Sequence, residues 1–295
     1  MADEFSFIRW IQAQQSKSAG VLVPAGDDMA VMQWAPSDLL LCAVDQVIDG
    51  VHFDSRRHSP RQIGRKVVNR NLSDCAAMAC LPAAALACVA LPAGGGEEYA
   101  RELYLGMREA GDIFSCPIVG GDTGSWDGKL VVSVTILGKS AGISPVLRSG
   151  AKAGDHVYVS GPLGGSIISR HMDFVPKIAL ARELAAKYHI SAMIDISDGL
   201  SRDLPHICHE SKVGAEIDAL ALPIHDHARE LSKRDGVSPL DHALGDGEDH
   251  ELLLCSADDI PGLIRIGRIT AEPAIMIRRD GQTIPLRAAG WEHQL

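Results

Sequence analysis

The chain has 295 residues, 46% hydrophobic and 22% charged, with a formal net charge of −10. Such a length suits about two globular domains, each able to bury its own core. The acidic balance argues against a nucleic-acid backbone or an anionic membrane as partner.

In chain order, Phe5 to Gln14 predicts a short amphipathic helix, with Phe7, Ile8, Trp10 and Ile11 clustered on one side. Acidic residues come early between Met1 and Gln15, with no basic start before an apolar core, so no secretion signal is read there. Gly26-Asp27-Asp28 is an acidic turn, and Leu39–Val44 a strand that delivers Asp45 at its end. Ser59-Pro60 reads as an N-cap with a first-turn proline. Ile63, Val67, Val68, Leu72 and Ala76 then continue at helical spacing, so this helix carries Asn71 and Asp74. Cys75 to Ala93 is apolar for nearly a membrane span, but Pro82 and Pro92 interrupt it. A helix ending before Pro82 and a buried strand over Ala83–Leu91 are predicted instead, in a protein with no membrane span. A helix over about Glu97–Phe114 leads to a short strand Pro117–Val119, a Gly120-Gly121-Asp122 turn and a strand Leu130–Leu137.

Ser149 to Asp155 is small and glycine-rich, and divides the chain into residues 1–148 and 149–295. Beyond it come a strand (His156–Ser160), a glycine turn, a helix (about Pro176–Tyr188), a strand (Ala192–Ile196) and a helix over Leu200–Ser211 ended by Gly214. Arg279-Asp280-Gly281-Gln282 is a hairpin turn. The order predicts an α/β (α+β) fold of two domains. Seven scattered cysteines, without a Cys-x-x-Cys pair, read as buried thiols of a reducing cytosol, hence a cytoplasmic protein.

Ile194-Asp195-Ile196-Ser197-Asp198-Gly199-Leu200 sets two carboxylates three residues apart where an apolar strand turns into a helix. A single Asp in such a turn is ordinarily a cap, and Asp203, Asp241 and Asp258 are read so. Asp28, Asp45, Asp74, Asp122, Asp195 and Asp198, however, come from five separate segments, each at an element edge. Gathered without cations they would repel by about 4 kcal/mol per close pair at a surface-like dielectric. Their recurrence predicts a hard-cation site, whose oxygen ligands favour Mg²⁺ or Mn²⁺ and whose use would be phosphoryl transfer. The chain has no G-x-x-x-x-G-K-[ST], no G-x-G-x-x-G, no protein-kinase set and no H-E-x-x-H. Gly161 to Ser166 could approach a phosphate, yet alone reads as a tight connection. His225 and His227 read as a solvated loop, and His52, Tyr104, Arg148 and Trp291 carry no assignment by residue type.

Asn71-Leu72-Ser73-Asp74 with Ala76-Ala77-Met78, Gly120-Gly121-Asp122-Thr123, Arg148-Ser149-Gly150-Ala151, the Ile194–Leu200 run and Gly247-Glu248-Asp249-His250-Glu251-Leu252 occur in that order. In them the chain, from about Gly26 to Trp291, resembles the thiamine-monophosphate kinases, of the superfamily that includes aminoimidazole ribonucleotide synthetase and selenophosphate synthetase. The resemblance implies an N-terminal α/β domain that binds ATP and Mg²⁺ and dimerises through its sheet, and a C-terminal α/β domain closing over the site. It implies a homodimer, ATP as phosphoryl donor, thiamine monophosphate as acceptor and several Mg²⁺ ions. Metal positions would be Asp28, Asp45, Asp74, Asp122, Asp195 and Asp198, with Asp122 and Asp198 catalytic. ATP would meet Tyr104, Gly121, Arg148 and Ser197, and the thiamine phosphate His52, Glu248 and Trp291.

Direct transfer to a phosphate that is largely dianionic at neutral pH needs no general base, so positioning and bridging metals would supply the catalysis. Three departures stand out. Ala43-Val44-Asp45 replaces the family's Ser-Thr-Asp, His250 replaces its Tyr, and the segment Gly165–Pro176 is short. They leave open a related ATP-dependent enzyme for another small anion, or an inactive ATP- or metal-binding homologue.

Overall fold

The structure, a computed structural model, describes residues 21–23, 27–35 and 38–290. The helix expected over Phe5–Gln14 and the site residue Trp291 lie outside the described residues. Two sheets carry the architecture. The first has the order β1-β2-β3-β6-β4-β5, from β1 (Val21–Val23), β2 (Ala30–Ala35), β3 (Asp38–Ile48), β4 (Leu81–Pro92), β5 (Ile118–Trp126) and β6 (Val131–Lys139). Among the described residues of this sheet, only β4 and β5 pair in parallel; a helix, α2 (Gly96–Ile113), makes that crossover.

Helix α1 (Pro60–Ala77) begins as expected, at Ser59, in a reciprocal capping box with Gln62 and with Pro60 in the first turn. It packs on the inner face of the first sheet beside α2. The two helices approach closely because Gly64 and Gly106 lie at the crossing: a Cβ on either would stand 2.1 Å from the Leu103 carbonyl oxygen or 2.0 Å from that of Arg61. In β6, Val132, Val134 and Ile136 point into this core, while the residues between them face outward.

The second sheet has the order β13-β12-β9-β11-β7-β10-β8. Its strands are β7 (His156–Val159), β8 (Ala192–Asp195), β9 (Gly214–Asp218), β10 (Leu252–Ser256), β11 (Ile264–Thr270), β12 (Ile275–Arg279) and β13 (Gln282–Pro285). Both faces of its centre are buried. Tyr158, Met193, Leu252 and Leu254 join the core that continues from the first sheet, whereas Val157, Val159, Ile194, Leu253 and Cys255 form a second core. Burial on both sides is why these strands read as unbroken apolar runs. Among the described residues, five α-helices and a 3-10 turn (Ser166–Ile168) complete this lobe: α3 (Arg170–Asp173), α4 (Ile178–Lys187), α5 (Leu200–Ser211), α6 (Asp226–Asp235) and α7 (Pro239–Gly245). Among the described residues, no helix is long and apolar enough to cross a membrane.

Several expectations change. Gly120-Gly121-Asp122 is not a turn but the middle of β5, where Gly121 opposes Ala87 of β4. A Cβ on Gly121 would come within 1.9 Å of the Ala87 carbonyl oxygen, so glycine is needed for strand pairing rather than for chain reversal. Lys212 (φ 57°), not Gly214, turns the chain out of α5, and Gly214 already belongs to β9. The two histidines expected in a loop start α6: His225 is its N-cap and accepts a bond from the His227 amide. Cys88 is exposed, unlike the other thiols. Asp280-Gly281 does link β12 to β13 as a hairpin.

Candidate active site

The site forms along one polar stripe of α1. Lys66, Asn69, Arg70, Ser73 and Asp74 recur at intervals of three and four, which puts them on one helical face. That face meets the second lobe. Asn69 donates to the Phe174 carbonyl at 2.9 Å, and the Ser73 hydroxyl donates to Asp195 at 2.5 Å.

Where α1 ends, Asp74 meets Asp28, which precedes β2, and Asp195, the last residue of β8. One carboxylate oxygen of each lies within 4.8 Å of the others. Three of the six expected metal positions thus converge. Asp45, on β3, lines the same cavity of about 380 Å³, with Arg70, Arg148, Ser197 and His250. Burial, and then Asp45, Asp195 and Asp28, raise the pKa of Asp74 well above the usual carboxylate range. Burial pushes Asp28 up to about 7 although Arg148 grips it through two bonds of 3.1 Å. Asp195 goes the other way. Its burial is outweighed by bonds from His250, at 3.1 Å, and Ser73, which hold it below its ordinary value. Two carboxylates reluctant to be charged beside a third that is, all offering oxygen ligands, fit a hard divalent cation.

A second cavity, of about 170 Å³, adjoins the first and shares Arg70 and Ser197 with it; His52, Asp198, Glu248 and Asp246 also line it. Asp198 stands at the start of α5 because Asp203, fully buried, accepts from the amides of Asp198 (3.1 Å) and Gly199 (3.0 Å). Asp203 is therefore the local cap expected of it, and what it caps is the turn that presents Asp198. Glu248 adopts φ 50° and is fixed by its amide, which donates to the Ser197 carbonyl at 2.7 Å. Its oxygens divide between two cations. Lys66, fully buried, reaches Oε2 at 2.5 Å, and Arg70 reaches Oε1 at 2.9 Å. Burial lowers the Lys66 pKa to about 8; burial also opposes the charge of Glu248, but a bond from His171 and the opposed charges of Lys66 and Arg70 outweigh it and hold Glu248 far below the carboxylate range.

Not every predicted site residue joins these cavities. Tyr104, Gly121 and Asp122 line a third, of about 390 Å³, between α2 and strands β4 and β5. Register puts Gly121 in one row with Asp45 through Ala87 and Val134. The row spans three strand spacings, roughly 14 Å. Asp122 is one residue further along β5 and exposed, so within this chain it stands apart from the three clustered carboxylates. The glycine turn after β7 is no free phosphate cradle either. Its Gly164 amide is taken by Asp249, itself bound by Arg170 at 2.5 Å, and its Gly165 amide by Asp246.

Lys66, Arg70 and His171 were not foreseen. The stripe Lys66, Arg70, Asp74, spaced by four on a helix otherwise read for its apolar residues, was the signal available.

Comparison with known proteins places this geometry. The family model "AIR synthase related protein, N-terminal domain" matches residues 26–140, and its C-terminal counterpart matches residues 152–274. The thiamine-monophosphate kinase of Rhodopirellula baltica is 40% identical over 88% of this chain and 84% of its own. The chain belongs to the thiamine-monophosphate kinase family. The Bacillus subtilis member is 30% identical over 99% of both chains. Among solved structures, AaThiL complexed with AMPPCP and TMP superposes with a TM-score of 0.87 at 30% identity, over 99% of this chain and 97% of that one. A HypE–HypF complex, at 17% identity and a TM-score of 0.75, shares the fold.

Proposed function

We infer that this protein transfers the terminal phosphoryl group of ATP to thiamine monophosphate, giving thiamine diphosphate and ADP. The observation that carries the reading is the pair of adjoining cavities, one walled by Asp28, Asp74 and Asp195 and the other by His52, Asp198 and Glu248, with Arg70 and Ser197 in both. Such a pair holds two anionic substrates side by side, in a chain whose relatives carry this activity in their names. AaThiL, complexed with AMPPCP and TMP, supports the same two substrates here.

We assign the three clustered carboxylates to Mg²⁺, with Asp45, Asp122 and Asp198 at further metal positions. Bound there, Mg²⁺ would neutralise the phosphate charge that otherwise keeps two anions apart. Ser197 and Arg148 face the donor, and Tyr104 and Gly121 its far end. His52 and Glu248 orient the acceptor, with Trp291. Asp198 acts on the transferring phosphoryl group through the metal it holds, and Asp122, which stands apart within one chain, does so at the site of the second subunit of the homodimer. The acceptor phosphate is largely dianionic, so the residues need only align it, without removing a proton.

Residues 1–148 form the ATP- and metal-binding domain and residues 149–295 the domain that closes on it, in a cytoplasmic enzyme. A homodimer through the first sheet is supported by the exposed apolar residues Val44, Leu86, Val119 and Trp126 along it. The test is incubation with ATP, Mg²⁺ and thiamine monophosphate, following ADP and thiamine diphosphate. Equal, Mg²⁺-dependent amounts of both are expected. ADP without thiamine diphosphate, or a phosphorylated protein trapped by rapid mixing, would overturn the reading.

A further inference from the structure

Lys66 is the largest fully buried side chain among the described residues, and its ammonium bonds across the lobe interface. It donates to Glu248 Oε2 at 2.5 Å and to the His171 carbonyl at 3.0 Å, and His171 Nδ1 lies 3.2 Å away. A lysine placed only for stability would keep its charged end in water. Here the end is instead spent on one carboxylate, and that carboxylate faces the second cavity. The other oxygen of Glu248 meets Arg70 Nη1 at 2.9 Å, while Arg70 Nε meets Asp45 Oδ2 at 3.2 Å. A continuous chain of charge-assisted bonds therefore runs Lys66–Glu248–Arg70–Asp45, from the acceptor cavity to the acidic one.

We propose that Lys66 is a positioning residue for the phosphoryl acceptor: anchored by His171, it fixes Glu248 against the acceptor and, through Glu248 and Arg70, couples acceptor binding to the donor cavity. The proposal rests on the kinase reading. The backbone agrees with a fixed Glu248, since Glu248 and His250 both hold left-handed conformations (φ 50° each) that ordinary residues adopt only when held. Without Lys66, Glu248 keeps Arg70 on Oε1 and the His171 ring 3.3 Å from Oε2, but loses the shorter, charged bond of 2.5 Å that holds Oε2. Glu248 is then free to shift, and with it the Arg70 bond that links the two cavities.

The experiment compares wild type with Lys66→Met, Glu248→Gln and the double variant. It measures kcat, both KM values, and thiamine monophosphate binding by calorimetry with and without a non-hydrolysable ATP analogue. Lys66→Met should raise the KM for thiamine monophosphate by about tenfold or more, the worth of one charge-assisted bond. The KM for ATP should stay within about twofold, and the analogue should lose its ability to tighten acceptor binding. In the Glu248→Gln background, Lys66→Met should add little, because the two residues act as a unit. A fall in kcat and in both substrates' affinities alike, or effects that add in the double variant, would make Lys66 a structural residue and overturn the proposal. Should Lys66→Met not fold, Lys66→Gln carries the same test with a shorter donor. Wild type that makes no thiamine diphosphate would instead overturn the kinase reading, and the calorimetric coupling of acceptor and nucleotide analogue would still decide the role of Lys66.

Discussion

Replacing Asp74 by Asn should make the metal-free protein more stable and the metal-loaded protein less so. Asp74 is raised well above the ordinary carboxylate pKa by burial and by Asp45, Asp195 and Asp28, so in its charged form it opposes folding. Two carboxylates about 4 Å apart repel by roughly 4 kcal/mol at an effective dielectric near 20. Arg70 and Arg148 offset part of this, leaving about 2 kcal/mol as the expected gain on neutralising Asp74. The sign with pH follows from linkage. A group whose folded pKa is raised favours the folded state below its unfolded pKa, and that contribution disappears as pH climbs through the folded value. Wild type in EDTA should therefore lose stability from about pH 4 upward through neutrality, the range over which Asp28, at about 7, also ionises. Asp74→Asn should lose less. Urea denaturation in EDTA at pH 5 and pH 8 measures this: the variant's advantage is expected at pH 8 and should shrink at pH 5. With Mg²⁺ at about 100 times its dissociation constant, wild type gains about 2.7 kcal/mol and the order reverses. If Asp74→Asn were less stable than wild type in EDTA at pH 8, the three carboxylates would not be repelling one another and the cation site would lose its physical basis.

Asp198→Asn and Asp122→Asn should each lower turnover by at least about a hundredfold with circular dichroism unchanged, since both lie at the protein's surface or cavity walls rather than in its cores. Gly121→Ala should destabilise the β4–β5 pair by roughly 3 kcal/mol or more, because the added methyl meets backbone that cannot move aside; a lower melting temperature checks it. His242 is buried, which opposes its charge, but Asp246 at 2.8 Å and Asp235 at 3.3 Å outweigh that and raise its pKa. Its stabilising contribution is therefore complete below about pH 6.5 and vanishes as pH rises through the higher folded value. The stability gap between wild type and His242→Gln should be widest below about pH 6.5 and close as pH rises above it.

What could be read from the chain beforehand was mostly local. Ser59 and Pro60 announce the start of α1 because capping involves only neighbours in sequence. Asp203 could be recognised as a cap for the same reason. The two glycines before Asp122, by contrast, imitate a turn; only the parallel partner β4, about 35 residues away in the chain, makes them strand. Recurrent acidic edges did point to Asp28, Asp74 and Asp195, which the fold brings together. The cations opposite them stayed hidden. A lysine and an arginine on a helix are usually solvated, and nothing in the sequence says that a second lobe will cover this face.

That covering also explains why one strip of the interface between lobes is ionic, where the apolar core otherwise continues from one lobe into the other. Val67, Val68 and Leu72 bury one side of α1 in the first lobe's core, while Lys66, Arg70 and Asp74 turn toward the second. A buried ion pair adds little net stability over an apolar contact of the same volume, but it is severe about geometry, because a displaced partner leaves an uncompensated charge. An apolar seam would let the lobes slide by fractions of an ångström at small expense. The Lys66–Glu248–Arg70–Asp45 chain does not, and phosphoryl transfer between two bound anions depends on alignment at that scale. The seam is thus better understood as a device for registering one cavity against the other than as a source of cohesion.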